Sequence, residues 1–168
     1  MKEKSRFLII DIIGMILLIT FDLITKDFAA TSLKGNDPYV LVKGVFEFRY
    51  LENHGAAFSM FQDKQLFLSI IAFIAVFFIL FMLYRTPVKR HYRLLRICLI
   101  GIAAGAAGNL IDRLFLGYVR DFLYFVLIDF PIFNVADIYV TCSVFLLVIL
   151  ILFYYKEDDF KEIRIHRK

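Results

Sequence analysis

Residues 66–84 read LFLSIIAFIAVFFILFMLY, an uninterrupted run without a charge. In water such a run would need a larger core than a chain of this size can build. In lipid it closes its backbone hydrogen bonds within one helix. About 20 mostly apolar residues suffice to cross the hydrocarbon, and the segments 7–25, 94–116 and 133–155 also meet that condition. Of the 168 residues, 61% are hydrophobic and 17% aromatic, against roughly 45–50% apolar in soluble domains. The expected fold is an all-α membrane protein with four transmembrane helices, residues 1–168 forming one membrane-embedded domain.

Lysine and arginine orient the helices. Lys2, Lys4 and Arg6 precede the first span, and Arg85, Lys89, Arg90 and Arg93 fill the connection between the second and third. Positive charge stays in the cytoplasm, so both termini are expected there. Segments 27–65 and 117–132 then lie on the extracytoplasmic side. A cleaved secretory signal is an alternative for the N-terminus, with Ala29 and Ala30 as the small residues. Asp11, Asp22 and Lys26 inside or beside the apolar run argue against cleavage.

The net charge is +4, but the basic residues flank apolar segments and form no soluble basic face, which excludes nucleic acid as a partner. Cys98 and Cys142 fall inside apolar runs and are expected as small packing residues, not as a disulfide or metal site. In the first outer segment, VFEFRYL alternates Phe46, Phe48 and Tyr50 with Glu47 and Arg49, the period of a strand with one apolar face. TSLKGNDPY before it is expected as a turn region. A small β-structured cradle on the outer surface follows, its aromatic face toward lipid or substrate. The C-terminal KEDDFKEIRIHRK is expected as a solvated helix end or frayed terminus.

Ionisable residues within spans are costly and mark functional sites. Here Asp22 and Lys26 close the outer end of the first helix, and Asn109, Asp112 and Arg113 lie toward the outer end of the third. Asp121 follows it, Asn134 and Asp137 open the fourth, and Asn53 stands in the outer segment. The predicted topology gathers all of them on one side. At about 1.5 Å per residue, Asp137 lies roughly 6 Å inside a helix that opens at 133, and the return from Asp121 is long enough to bring the two carboxylates together. Two carboxylates in a low-dielectric pocket share one proton. The ionised member takes a proton from water while the protonated member donates to a carbonyl or a leaving amine. That is the chemistry of an aspartic peptidase.

The remaining polar residues have plainer explanations. Asp129, before Pro131, is expected as a solvated loop acid, and Asp11 as oriented toward the cytoplasmic interface. Asp112 and Arg113 point to different sides of a helix and need separate partners. Asp22 and Lys26 have i,i+4 spacing, which also suits a structural pair. Gly101, Gly105 and Gly108, with alanines between them, suit close helix packing, and the Phe-rich second helix suits a lipid-facing surface.

The motifs resemble those of the lipoprotein signal peptidases, or signal peptidase II, along almost the whole chain. FDLITK resembles that family's D-x-x-T-K segment (Asp22, Thr25, Lys26), and NHGAAFSM its N-x-G-A-A-F block (Asn53, Gly55, Ala56, Ala57, Phe58). GNLIDRLFLGYVRDF resembles the G-N-x-x-D-R … G-x-V-x-D-F block, and FNVAD the F-N-x-A-D block. The resemblance implies Asp121 and Asp137 as the catalytic pair. It also implies Asn53, Gly55, Asn109, Arg113 and Asn134 as substrate-binding residues, with Asp22, Lys26 and Asp112 as structural support. It implies cleavage of a prolipoprotein before its diacylglyceryl-modified cysteine, without metal or cofactor, at the cytoplasmic membrane of a bacterium. Leu23 departs from the family, standing where many members carry glutamine.

A membrane lipid environment and a lipidated prolipoprotein are the expected partners, and the chain is expected to be a monomer. The strand in 27–65 suits clamping of an extended peptide, and the flexible Gly55 suits closure of NHGAAFSM over the site. Two other classes compete. An ion-coupled transporter would spread its acids across the membrane depth, and a scaffold would use them only to lock helices.

Overall fold

The computed structural model describes residues 2–55 and 64–165. Helix α1 spans Lys2–Leu33, and strands β1 (Tyr39–Val42) and β2 (Phe46–Asn53) follow it. Helices α2 (Gln65–Arg85) and α3 (Arg93–Leu116) come next, then strand β3 (Val119–Phe125), helix α4 (Val135–Phe153) and the short helix α5 (Glu157–Ile165). Four of the helices are long and apolar enough to cross a membrane, as expected.

Their ends differ from expectation in ways the residues explain. Helix α1 continues beyond 25 through Leu33, so the start of the anticipated turn region is helical. The hydroxyls of Thr25 and Thr31 donate to carbonyls three or four residues back, satisfying themselves within the helix. The helix stops before Gly35, which takes a left-handed φ of 77°. Helix α4 opens at Val135, because Asn134 caps it and Phe133 still bridges to Leu123 of the sheet. Helix α3 ends on Gly117, a left-handed C-cap at φ 80°.

The sheet is antiparallel in the order β1-β2-β3, with Leu51 opposite Asp121 and Asn53 opposite Val119. Segment 117–132 therefore supplies a strand that alternation alone did not reveal. The aromatic face of β2 also corrects an expectation. Phe46, Phe48 and Tyr50 do not line the cavity; half-buried, they pack on Ala29, Phe122 and Leu123.

Helix α3 is the centre of the bundle. Its most apolar window is 50% buried, against 11% for each of the other three spans. Small residues make this possible. A Cβ on Gly105 would lie 2.4 Å from the Ala136 carbonyl oxygen, and one on Gly101 would lie 2.1 Å from Ser143 Oγ. One on Gly108 would lie 2.5 Å from Asp22 Oδ2. Helices α1 and α4 thus approach α3 to a distance only glycine allows. On α2, Phe73, Phe77 and Phe78 are exposed, as a lipid-facing surface requires.

At the opposite end from the sheet, Asp11 is buried and paired with Arg96 of α3, which corrects its assignment to the interface. Arg96 also donates to the carbonyls of Thr86 (2.8 Å) and Leu83 (3.2 Å). A buried charge needs such partners. Within the C-terminal charge run, Glu157–Ile165 form α5 and are not merely solvated, while residues 166–168 lie outside the described residues. Lys89 pairs with Glu162, and the Tyr92 hydroxyl donates to Glu162 at 3.0 Å. Ile163 packs on a core of Tyr92, Cys98, Leu150 and Tyr155. Cys98 is a packing residue as expected, whereas Cys142 is exposed.

Gly105→Leu is expected to wedge α3 from α4 and lower stability by about 1–3 kcal/mol, the usual cost of overpacking. Thermal unfolding in detergent measures this against Gly14→Ala, which nothing crowds and which should unfold like the parent.

Candidate active site

Each sequence-predicted residue in the described part of the chain reaches one region, beneath the sheet at the ends of α1, α3 and α4. Asp121 arrives on β3 and Asp137 in the first turn of α4. Asn134 is the N-cap of α4, and its side-chain oxygen accepts from Asp137 N–H at 3.1 Å. The Asp137 carboxylate returns the bond, accepting from Asn134 N–H at 3.1 Å. This capping box satisfies two orphan donors and fixes both residues on the helix end.

Three asparagine amides hold the two carboxylates. Asn53 donates to Asp121 Oδ2 at 2.8 Å, and Asn134 donates to Asp121 Oδ1 at 2.6 Å. Asn109 donates to Asp137 Oδ1 at 2.8 Å. Asn134 also donates to Asn109 Oδ1 at 3.1 Å, so the amides link the two acids into one network. Asp121 is buried and Asp137 half-buried. Burial, and then the facing Asp137 carboxylate, push Asp121 up to about 7, against the pull of Asn53, Asn134 and Lys26. Both acids line a cavity of about 910 Å³ with Asn53, Asn109 and Arg113 on its walls.

Behind them lies a layer of buried charge. Lys26 is fully buried, 2.8 Å from Asp22 and 3.7 Å from Asp112, and it donates to Asn109 Oδ1 at 2.8 Å. Asp22 accepts from the Ala136 N–H at 2.8 Å, tying the N-terminus of α4 to α1. Arg113 donates to the Gly55 carbonyl at 3.2 Å, and the Gly55 N–H donates to Asn53 Oδ1 at 2.9 Å. Ala56, Ala57 and Phe58 of the same motif lie outside the described residues.

Two residues carry more than the sequence suggested. Arg120 grips Asp112 with two side-chain nitrogens, at 2.7 and 3.1 Å, and pairs with Asp27 of α1. Its own N–H donates to Asp112 at 3.0 Å. It anchors β3 one residue before Asp121. The signal was an arginine inside an otherwise apolar strand next to the acid. Asp129, expected as a plain solvated acid, is exposed but lines the cavity and accepts from the Tyr124 hydroxyl.

Four membrane-length helices under a three-stranded sheet, with two linked carboxylates in one cavity, define an integral membrane protein with an acid pair at the end of its helices. Two solved bacterial membrane enzyme structures, determined in meso at 2.3 and 1.9 Å, share this fold with TM-scores of 0.76 and 0.73. Each is 30% identical; the matches cover 88% and 86% of this chain and 92% and 94% of theirs. The family model for signal peptidase (SPase) II matches residues 14–153, and the chain belongs to that family. It is 42% identical over 158 residues to a lipoprotein signal peptidase of Clostridium tetani, covering 92% of this chain and 98% of the relative. It is 36% identical over 149 residues to one of Streptococcus pyogenes, covering 89% and 95%.

Replacing Arg120 with Met removes the guanidinium bonds from buried Asp112 but leaves Lys26 at 3.7 Å, and is expected to cost about 1.5–3 kcal/mol, the weight of hydrogen bonding to a charged group. Arg120→Met with Asp112→Leu should recover part of that loss. Thermal unfolding of the two single variants and the double variant measures the coupling.

Proposed function

We propose that this protein is an aspartic endopeptidase that removes signal peptides from prolipoproteins, cutting before the diacylglyceryl-modified cysteine, with Asp121 and Asp137 as the catalytic pair. The observation that carries this is the shared cavity: two carboxylates, linked through asparagine amides, face one space at the end of the membrane helices. Membership of the signal peptidase II family supplies the reaction class. Residues 1–168 act as one peptidase unit. The basic connection between α2 and α3 lies at the end away from the site, which supports cytoplasmic termini and an extracytoplasmic cavity.

The mechanism follows from the two environments. Asp121, buried and pushed upward, holds the shared proton. Asp137, half-buried and open to the cavity, is the ionised base. A water between them gives a proton to Asp137 as its oxygen bonds to the scissile carbonyl carbon. Asp121 gives its proton to the carbonyl oxygen, and a tetrahedral diol forms. Asp137 then protonates the amide nitrogen, the C–N bond breaks, and a diol hydroxyl returns a proton to Asp121. The products are the signal peptide's carboxylic acid and the free amine of the lipid-bearing cysteine, with the pair restored. Asn53, Asn109 and Asn134 hold the carboxylates throughout, because a neutral amide donates to either protonation state. Arg113 and Gly55 on the same wall hold the substrate backbone. Asp22, Lys26 and Asp112 support them from behind.

With purified enzyme and a diacylglyceryl-modified prolipoprotein, Asp121→Asn and Asp137→Asn should each lower turnover by about 10²–10⁴-fold, the usual weight of acid–base catalysis. Both should still fold but lose about 1–3 kcal/mol, since asparagine keeps one acceptor and turns its amide toward the second donor that each carboxylate now satisfies. Full activity in either folded variant would return the acids to a structural or transport role. The pH dependence gives a second check. Above about pH 7 Asp121 loses the proton it must donate, so kcat/KM should fall on the alkaline side with an apparent pKa near 7. A rate still rising through pH 9 would contradict the assignment of the proton to Asp121.

A further inference from the structure

The cavity has two unlike ends. Ala72, Ala106, Val140 and Cys142, all on membrane-length helices, line one part, and Arg49, Tyr124 and Asp129, outside those helices, line another. The polar end is joined to the acid pair by the sheet. Arg49, Leu51 and Asn53 alternate along one face of β2, and all three line the cavity. At about 3.3 Å per residue, Arg49 stands roughly 13 Å along the strand from Asn53, which holds Asp121. Tyr124 stands three positions from Asp121 on β3, roughly 10 Å away.

The side chains at this end form one assembly. The Arg49 guanidinium stacks over the Tyr124 ring with 4.7 Å to the centroid. Glu47 pairs with Arg49 at 2.6 Å, and the Tyr124 hydroxyl donates to Asp129. Asp129 is the non-glycine residue with positive φ among the described residues, at 47°, and its N–H donates to the Val126 carbonyl at 3.1 Å. Aspartate tolerates this conformation better than most side chains. Glu47 compensates Arg49, whereas the partner of Asp129 is a neutral phenol. Asp129 is therefore the unbalanced charge at the cavity rim.

We propose that the Arg49–Tyr124–Asp129 rim is a specificity subsite that reads the mature chain about three to five residues after the lipid-bearing cysteine and favours a cationic over an acidic side chain there. This rests on the peptidase assignment above. An extended peptide anchored at the acid pair spans the 10–13 Å to the rim in roughly three or four residues. The apolar signal segment needs the lipid-side wall, so the water-going half of the substrate meets the polar rim. The Arg49–Tyr124 cation–π pair lines the path of that segment, and Asp129 supplies the charge preference.

The test compares diacylglyceryl-modified prolipoproteins that differ only by Lys or Glu at the third, fourth or fifth residue after the cysteine. Cleavage is followed by mass in zwitterionic detergent, and kcat/KM is compared for each pair. The wild type should prefer Lys over Glu about three- to fivefold at one of these positions, as expected of one solvent-accessible charge contact. Asp129→Lys should reverse that ratio. Asp129→Asn keeps an acceptor for Tyr124 and a side chain suited to positive φ, and it should bring the ratio near one even if the lysine variant fails to fold. Equal cleavage of Lys and Glu substrates at all three positions, or an unchanged ratio in Asp129→Asn, would overturn the subsite while leaving the peptidase intact. Failure of the wild type to cleave any of them would overturn the peptidase assignment and the subsite with it.

Discussion

Lys26 carries an ammonium into a place water does not reach, with its side chain fully buried. Such a charge is tolerable only if its protons find acceptors and its field finds counter-charge. Asp22 comes from its own helix, while Asn109 and Asp112 come from α3. Asp22 reaches on to α4 through Ala136, and Asp112 reaches on to β3 through Arg120. One buried cation thereby fixes the mutual positions of three helices and a strand. The acid pair sits on the two elements so fixed, α4 and β3. Removing the charge would not free the acids; it would leave Asp22 buried without its cation, whereas Asp112 would keep Arg120.

The asparagines follow from the same constraint. In the proposed reaction the acids pass a proton, and holders that do not titrate leave them in place while they do so. Asn53, Asn109 and Asn134 supply donors whose charge does not change, so the carboxylates keep their places in either state. Lys26 and Arg120 stand one layer further out, behind the residues that line the cavity. The Asn134 cap adds economy, because the residue that holds Asp121 is also the one that starts the helix bearing Asp137.

Much of this was legible in the residues. The four helices were, because lipid demands long unbroken apolar runs and little else resembles them. The gathering of Asp22, Lys26, Asn109, Asp112, Asp121, Asn134 and Asp137 followed from chain topology alone. What was missed depends on partners distant in sequence. VRDFLYF becomes a strand because β2 lies beside it, and a register shift between Phe48 and Leu51 blurs the alternation. Asp11 read as an interfacial acid because Arg96, which buries it, lies 85 positions away. The aromatic face of β2 showed its period but not its destination, since either side of a surface sheet can be apolar. Arg120 stood beside Asp121 in plain view, yet only the fold shows that it holds Asp112.

The bond from Ala136 to Asp22 joins positions 114 residues apart. A ribosome delivers the first helix long before the last, and the membrane receives them in that order. Until α4 arrives, Lys26 and Asp22 have no helix end to hold, Asp121 has no second acid, and the cavity lacks a wall. The cavity and its acid pair are therefore complete only once the last membrane span has packed against the first, so their assembly is bound to the order of synthesis.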